Sequence, residues 1–252
     1  MIVTRVFPGA PTRIDLDDAA SRDPLLDFYR PESPSTVRIN LIGSVSGDAG
    51  GADGTSHTLS TPVDRRILGV IRELGDVVLI GAQSLRAEGY LLPRLRPLAV
   101  LTSSGDLTGH GLPDDLAASR LIVVCPPSAI ERVRETLGLV SAEIVVVDGP
   151  TGTGLLDIAH VIRALRARGF ESIVCEGGPQ LAGQLVAAGI ADELCLSTSP
   201  IIGGTPIRLI AMPDGEERPG ILTQLIVDDG GGVYARWSLL TDPLPSAPRA
   251  IG

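Results

Sequence analysis

The chain has 252 residues, 44% of them hydrophobic, enough to bury a substantial core in one large domain or two small ones. Its net charge of −9 argues against a nucleic-acid binder, because proteins that track a phosphate backbone carry a basic face. All 21 of the Lys and Arg residues are arginine, which excludes a Schiff-base lysine, a lysine general base and a Walker-type phosphate lysine. Arginine remains available for phosphates and carboxylates, which its planar fork contacts in pairs.

Residues 1–36 mix proline and acids with an apolar patch at Leu25, Leu26, Phe28 and Tyr29 and end in PESPS. An N-terminal arm with one short helix and then a linker is expected. VRINLIGSV follows as a strand and runs into the glycine- and aspartate-rich loop GDAGGADGTSHT. Thr61 then offers an N-cap, Pro62 the first helical position and Asp64 an acid at N3, and ILGVIREL continues with helical spacing. DVVLIG, PLAVLT, RLIVVC, EIVVVD, SIVCEG and ELCLST are short runs apolar on both faces, as in parallel strands covered on both sides. Helices are expected near 127–137, 155–168 and 179–188, the second with Leu155, Ile158, Ala159, Ile162 and Leu165 on one face. LTQLIVD and VYARWSLL flank DGGG as a β-hairpin, and residues 241–252 form a flexible tail. The expected fold is a three-layer α/β domain over 37–240 with a mostly parallel mixed sheet and a C-terminal antiparallel hairpin.

Cys125, Cys175 and Cys195 each sit in an apolar run without CxxC spacing, so buried reduced thiols and a reducing cytoplasm are expected. No run approaches transmembrane length. His57, His110 and His160 show no HxxxH or HExxH spacing, and no metal site is expected.

Two glycine turns open helices. DGPTGTGLLD has the outline of a dinucleotide fingerprint, but Asp157 stands at its third glycine position and its charge disfavours a pyrophosphate there, so it reads as an ordinary loop. VCEGGPQLAGQLVAAG admits two readings: Gly178 as N-cap with Pro179 at N1, or glycines that let the first helical N–H groups meet a phosphate.

Taken in order, NLIGSVSG, STPVDRR, VVLIGAQSLRAEGY and VCEGGPQLAGQLVAAGIADELCLSTSPIIGG resemble the carboxyl-terminal reductase domain of the bacterial riboflavin-pathway deaminase-reductase, a family with the dihydrofolate reductase-like fold. The resemblance implies NADPH as cofactor. Gly177, Gly178, Pro179 and Gln180 would lie at its pyrophosphate, with Glu176 turned to a ribose hydroxyl or backbone N–H. Gly81, Ala82, Gln83 and Ser84 would form a second cradle, and Thr102, Ser103 and Ser104 would approach the adenosine phosphate.

Asn40, Ser44, Ser46 and Asp48 are the catalytic candidates. Ser46 stands where the family carries the aspartate of S-x-D-G, and Asp48 follows two residues later. The family's acidic pair, proline and arginine are replaced by AEGYLLPRLR, which leaves Arg86, Arg94 or Arg96 to clasp a substrate phosphate or to be solvated; His57 is a further candidate for substrate contact. The implied activity is hydride transfer to an aminopyrimidine ribosyl phosphate or related heterocycle. Alternatives are a pteridine or dihydrofolate-type reductase, and a nucleotide-binding homologue that has lost catalysis. The deaminase signature of H-x-E with P-C-x-x-C is not in this sequence. A homodimer is expected, from the resemblance and from the apolar ELCLSTSPIIGG near a sheet edge.

Overall fold

The computed structural model describes residues 1–88 and 92–239. In chain order the strands are β1 (Ile2–Phe7), β2 (Thr12–Asp15), β3 (Thr36–Ser44), β4 (Asp48–Gly50), β5 (Val77–Gly81), β6 (Leu98–Leu101), β7 (Leu121–Cys125), β8 (Glu143–Val146), β9 (Ser172–Cys175), β10 (Glu193–Ser199), β11 (Thr205–Arg208), β12 (Gly220–Asp228) and β13 (Val233–Leu239). The α-helices are α1 (Arg22–Tyr29), α2 (Pro62–Leu74), α3 (Ala82–Glu88), α4 (Ile130–Leu137), α5 (Ile158–Arg166) and α6 (Pro179–Ala187). An eleven-stranded sheet has the order β2-β1-β12-β13-β10-β3-β9-β5-β6-β7-β8. From β10 to β8 every pairing is parallel, and β13, β12, β1 and β2 continue it antiparallel.

The parallel register explains why the strand runs are apolar on both faces. Val78 lies beside Val174 and Leu98, while Leu79 lies beside Cys175 and Ala99. Successive residues point to opposite faces. The Leu79 row packs on Val161 and Leu165 of α5 and on Leu181 and Leu185 of α6. The Val78 row packs on Leu85 and Val133, and this face continues through Val174 and Cys195 to Leu25, Phe28, Val70 and Ile71 of α1 and α2. Helices on both faces make the three layers. The helix expected at 155–168 begins at Ile158, because the Asp157 carboxylate accepts from the Ala159 N–H at 2.9 Å and caps it.

Residues 1–36 correct the expectation of an arm. β1 inserts between β2 and β12, and Val3, Ile14 and Leu16 join α1 in the core. The partner strand lies some two hundred residues away in sequence, beyond the reach of local periodicity. β10 runs between β13 and β3 and is not at a sheet edge, so that part of the dimer argument falls away. The expected tail at 241–252 lies outside the described residues.

A small two-stranded sheet, β4 with β11, was not legible in the sequence; it folds the segment after β10 back over the loop after β3. The carboxyl ends of β3, β5, β6 and β9 thereby meet a wall on one side, and a cleft forms above them.

Candidate active site

The cleft has a volume of about 650 Å³. Two strand-to-helix turns form its floor. An ideal Cβ on Gly177 would lie 2.5 Å from the Ile80 Cα and 2.6 Å from the Gly81 N, so glycine there lets the end of β9 press against the end of β5. Gly178, with φ +57°, caps α6 without a side chain, and a Cβ there would meet the Ser84 Oγ at 3.1 Å. The first N–H groups of α6, on Gln180 and Leu181, therefore open towards the cleft, which both residues line. Gly81, Ala82, Gln83, Ser84, Gly178 and Pro179 complete this part of the lining.

Thr102, Ser103 and Ser104 also line the cleft. The Thr102 hydroxyl accepts from the Gly105 N–H at 3.0 Å and the Ser104 hydroxyl from the Asp106 N–H at 3.2 Å, so both shape their own turn. Arg86 reaches the same segment through a hydrogen bond to the Asp106 carbonyl.

The opposite part is built on α2 and β3, with Asn40, Ile42, Ser60, Asp64, Leu68 and Arg72. Thr61 caps α2 by accepting from the Asp64 N–H at 3.1 Å. The Asp64 carboxylate accepts from the Ser60 hydroxyl at 2.7 Å and faces the cleft. The residue is only 7% exposed. Burial raises its pKa above the ordinary carboxylate range, against the opposing pull of the Ser60 and Ser197 hydroxyls and of Arg65. Glu176 is held from α2, with Arg72 donating from Nε at 2.7 Å and from Nη2 at 2.6 Å. This two-point pair takes up the charge of the carboxylate.

Several candidates do not reach the lining. Ser44, Ser46 and Asp48 form a knot instead: the Ser46 hydroxyl accepts from the Gly203 N–H at 2.8 Å and donates to Asp48 Oδ2 at 2.9 Å, and the Ser44 hydroxyl accepts from the Asp48 N–H at 3.1 Å. Strand alternation on β4 turns Ala49 to the cleft and Asp48 away from it. His57 lies exposed on its loop, outside the lining formed by its neighbours Gly54 and Ser56. Arg96 is spent on the Glu73 carbonyl near the carboxyl end of α2, at 2.7 Å, and Arg94 is exposed. Of the three clasp candidates only Arg86 borders the cleft.

Residues 35–223 match the family described as the RibD C-terminal domain. The chain belongs to this family. A 2,5-diamino-6-ribosylamino-4(3H)-pyrimidinone 5′-phosphate reductase of Methanothermobacter thermautotrophicus is 28% identical over 193 residues, covering 71% of this chain and 84% of the relative. The solved structure of a pyrimidine reductase-like protein from Corynebacterium diphtheriae aligns with a TM-score of 0.72 and 24% identity over 86% of this chain and 99% of that one. A diaminohydroxyphosphoribosylaminopyrimidine deaminase/5-amino-6-(5-phosphoribosylamino)uracil reductase from Thermotoga maritima aligns with a TM-score of 0.63 and 16% identity over 85% of this chain and 58% of that one.

Within this RibD C-terminal domain the sequence reasoning missed Asp64, Arg72 and Arg208 as cleft residues. Asp64 was visible only as a capping acid. Arg208 arrives on β11, whose pairing could not be read from local pattern. The loop DGPTGTGLLD does border the cleft, through Leu155 and Leu156 and not through its glycines.

Proposed function

We propose that this member of the RibD C-terminal domain family is an NADPH-dependent reductase of the riboflavin-pathway pyrimidine type, transferring hydride to an aminopyrimidine ribosyl phosphate or a related heterocycle. One observation carries the reading: a single cleft joins two backbone turns suited to the phosphates of a dinucleotide with a buried polar wall on α2 and β3. The residues present fit the cofactor, because Gly178 leaves the α6 N-terminus open and no carboxylate stands there unpaired.

In this reading Gln180 and Leu181 donate backbone N–H groups to the pyrophosphate, and Gly81 to Ser84 form the second cradle. Arg86, with Ser103, meets the adenosine phosphate, while Arg208 is left for the phosphate of the substrate. NADPH supplies the hydride; the protein supplies orientation and a site shielded from water. Arg72 neutralises Glu176, so the second carboxylate of the cleft does not oppose the anionic ligands.

The test is thermal unfolding with and without nicotinamide cofactor. NADPH at 100 times its dissociation constant stabilises the fold by about 2.7 kcal/mol. In Gly178→Asp the shift vanishes, because a carboxylate then occupies the phosphate position. A wild-type protein that responds to neither NADPH nor NADH contradicts the reading.

A further inference from the structure

Arg208 borders the cleft from β11, and its guanidinium has no hydrogen-bond or ion-pair partner among the described residues. The other two arginines of the lining are engaged, Arg72 with Glu176 and Arg86 with the Asp106 carbonyl. Arg208 is exposed, and a long side chain loses less on meeting an anion when its backbone is already fixed. That backbone is tied at both ends. Downstream, the Ala211 N–H donates to the Pro179 carbonyl at 2.9 Å, and an ideal Cβ on Gly183 would lie 2.1 Å from the Ala211 carbonyl oxygen, so this end is seated directly on α6. Upstream, Thr205 pairs with Gly50 and Arg208 with Asp48 across the small sheet, and the Thr205 hydroxyl donates to the Gly51 carbonyl at 2.9 Å. The turn that leads into β11 is held by Ser46, which accepts from the Gly203 N–H at 2.8 Å and donates to Asp48 Oδ2 at 2.9 Å. One hydroxyl thus joins the turn before β11 to the first residue of β4.

We propose that Ser46 is a positioning residue that acts through Arg208: it fixes the β4–β11 wall so that the guanidinium meets the phosphate group of the substrate. The inference rests on the reductase reading above and adds the device that holds its phosphate contact in place. Ser46 does not line the cleft, so it has no direct hold on a bound ring. Its chemistry suits the bridge instead. A hydroxyl accepts and donates at once, whereas an aspartate at this position, as in the S-x-D-G pattern, would accept from Gly203 but would set a second carboxylate against Asp48. Serine at 46 and aspartate at 48 are therefore a matched pair. Because Ser46 is exposed, its replacement opens no cavity in the core, and its effect is confined to the wall it ties.

The test measures kcat/KM, with NADPH, on 2,5-diamino-6-ribosylamino-4(3H)-pyrimidinone 5′-phosphate and on the same compound without its phosphate, for wild type, Ser46→Ala, Ser46→Thr, Arg208→Ala and the Ser46→Ala/Arg208→Ala double variant. The quantity read is the ratio of the two kcat/KM values. Arg208→Ala lowers that ratio by about 10- to 100-fold, the range of a hydrogen bond between charged groups. Ser46→Ala lowers it by about 5- to 10-fold, through a higher KM for the phosphorylated compound, and Ser46→Thr, which keeps the hydroxyl, holds the wild-type ratio. The double variant falls no further than Arg208→Ala, because Ser46 acts through that guanidinium. An Arg208→Ala ratio equal to that of wild type, a Ser46→Ala loss shared alike by both compounds, or losses that add in the double variant overturns the inference and leaves the reductase reading standing. Wild type that reduces neither compound overturns that reading and this inference with it.

Discussion

At the scale of single residues, the cleft is defined by what glycine omits and what burial does to one carboxyl. Gly177 is needed for packing of two strand ends, whereas Gly178 leaves a helix terminus uncovered; the sequence assigned both to the phosphate, and only their surroundings separate the roles. Asp64 gives a prediction with a definite sign. Its folded-state pKa is raised by burial, so its contribution to stability is fully present below the unfolded pKa and is lost as pH rises through the folded value. At neutral pH its ionised form opposes folding. Asp64→Asn therefore raises Tm at about pH 7, and the gain fades as pH falls through the raised folded-state value and is gone below about 4, where the Asp64 carboxyl is protonated in the unfolded chain as well as the folded one. Calorimetry of the two proteins across that range checks this; a gain independent of pH would assign the effect to packing. The same trade of stability for function is common at binding sites.

At the scale of elements, what could be read from sequence depended on the range of the interactions. The start of α2 was legible because Thr61, Pro62 and Asp64 are adjacent and the cap is local. The α6 turn was legible for the same reason. β1 with β12, and β4 with β11, are held by partners far away in sequence, and no local pattern marks them. Arg208 and the displacement of Asp48 from the cleft follow from that second pairing, so the two strand-to-helix turns were legible as parts of the cleft while the wall facing them was not. Another long-range device joins the amino-terminal helix to the sheet. Glu193 on β10 accepts from Arg38 Nε at 2.7 Å and from Arg236 Nε at 3.1 Å. The two guanidinium groups also donate to the carbonyls of Tyr29 and Phe28 at the end of α1, at 2.8 and 3.1 Å. Glu193→Gln leaves two buried cations short of their anion and is expected to cost about 3–5 kcal/mol. Chemical denaturation measures it; a loss below about 1 kcal/mol would mean that the cluster is solvated and relaxes.

At the scale of the whole molecule, the three layers place four parallel strand ends under one cleft, and the antiparallel extension closes the sheet on the far side. The expectation of a homodimer now rests on a patch rather than an edge. Val45 and Ile202 are 57% and 85% exposed, and the Val45 N–H donates to the Ile201 carbonyl, so the segments that carry them run side by side past the ends of β3 and β10. A second copy covering this patch predicts a dimer mass by light scattering at micromolar concentration, and Ile202→Asp returns it to a monomer. A monomeric wild type contradicts the dimer without touching the chemistry.

That chemistry is tested most directly by following NADPH oxidation with 2,5-diamino-6-ribosylamino-4(3H)-pyrimidinone 5′-phosphate and identifying the product by mass. The cleft predicts one hydride consumed per substrate and a ribityl product two mass units heavier, with turnover lost in Gly178→Asp because the cofactor no longer binds. Wild-type protein that binds NADPH and leaves it unoxidised, with this substrate and with its deaminated counterpart, would contradict the assignment as a pyrimidine reductase.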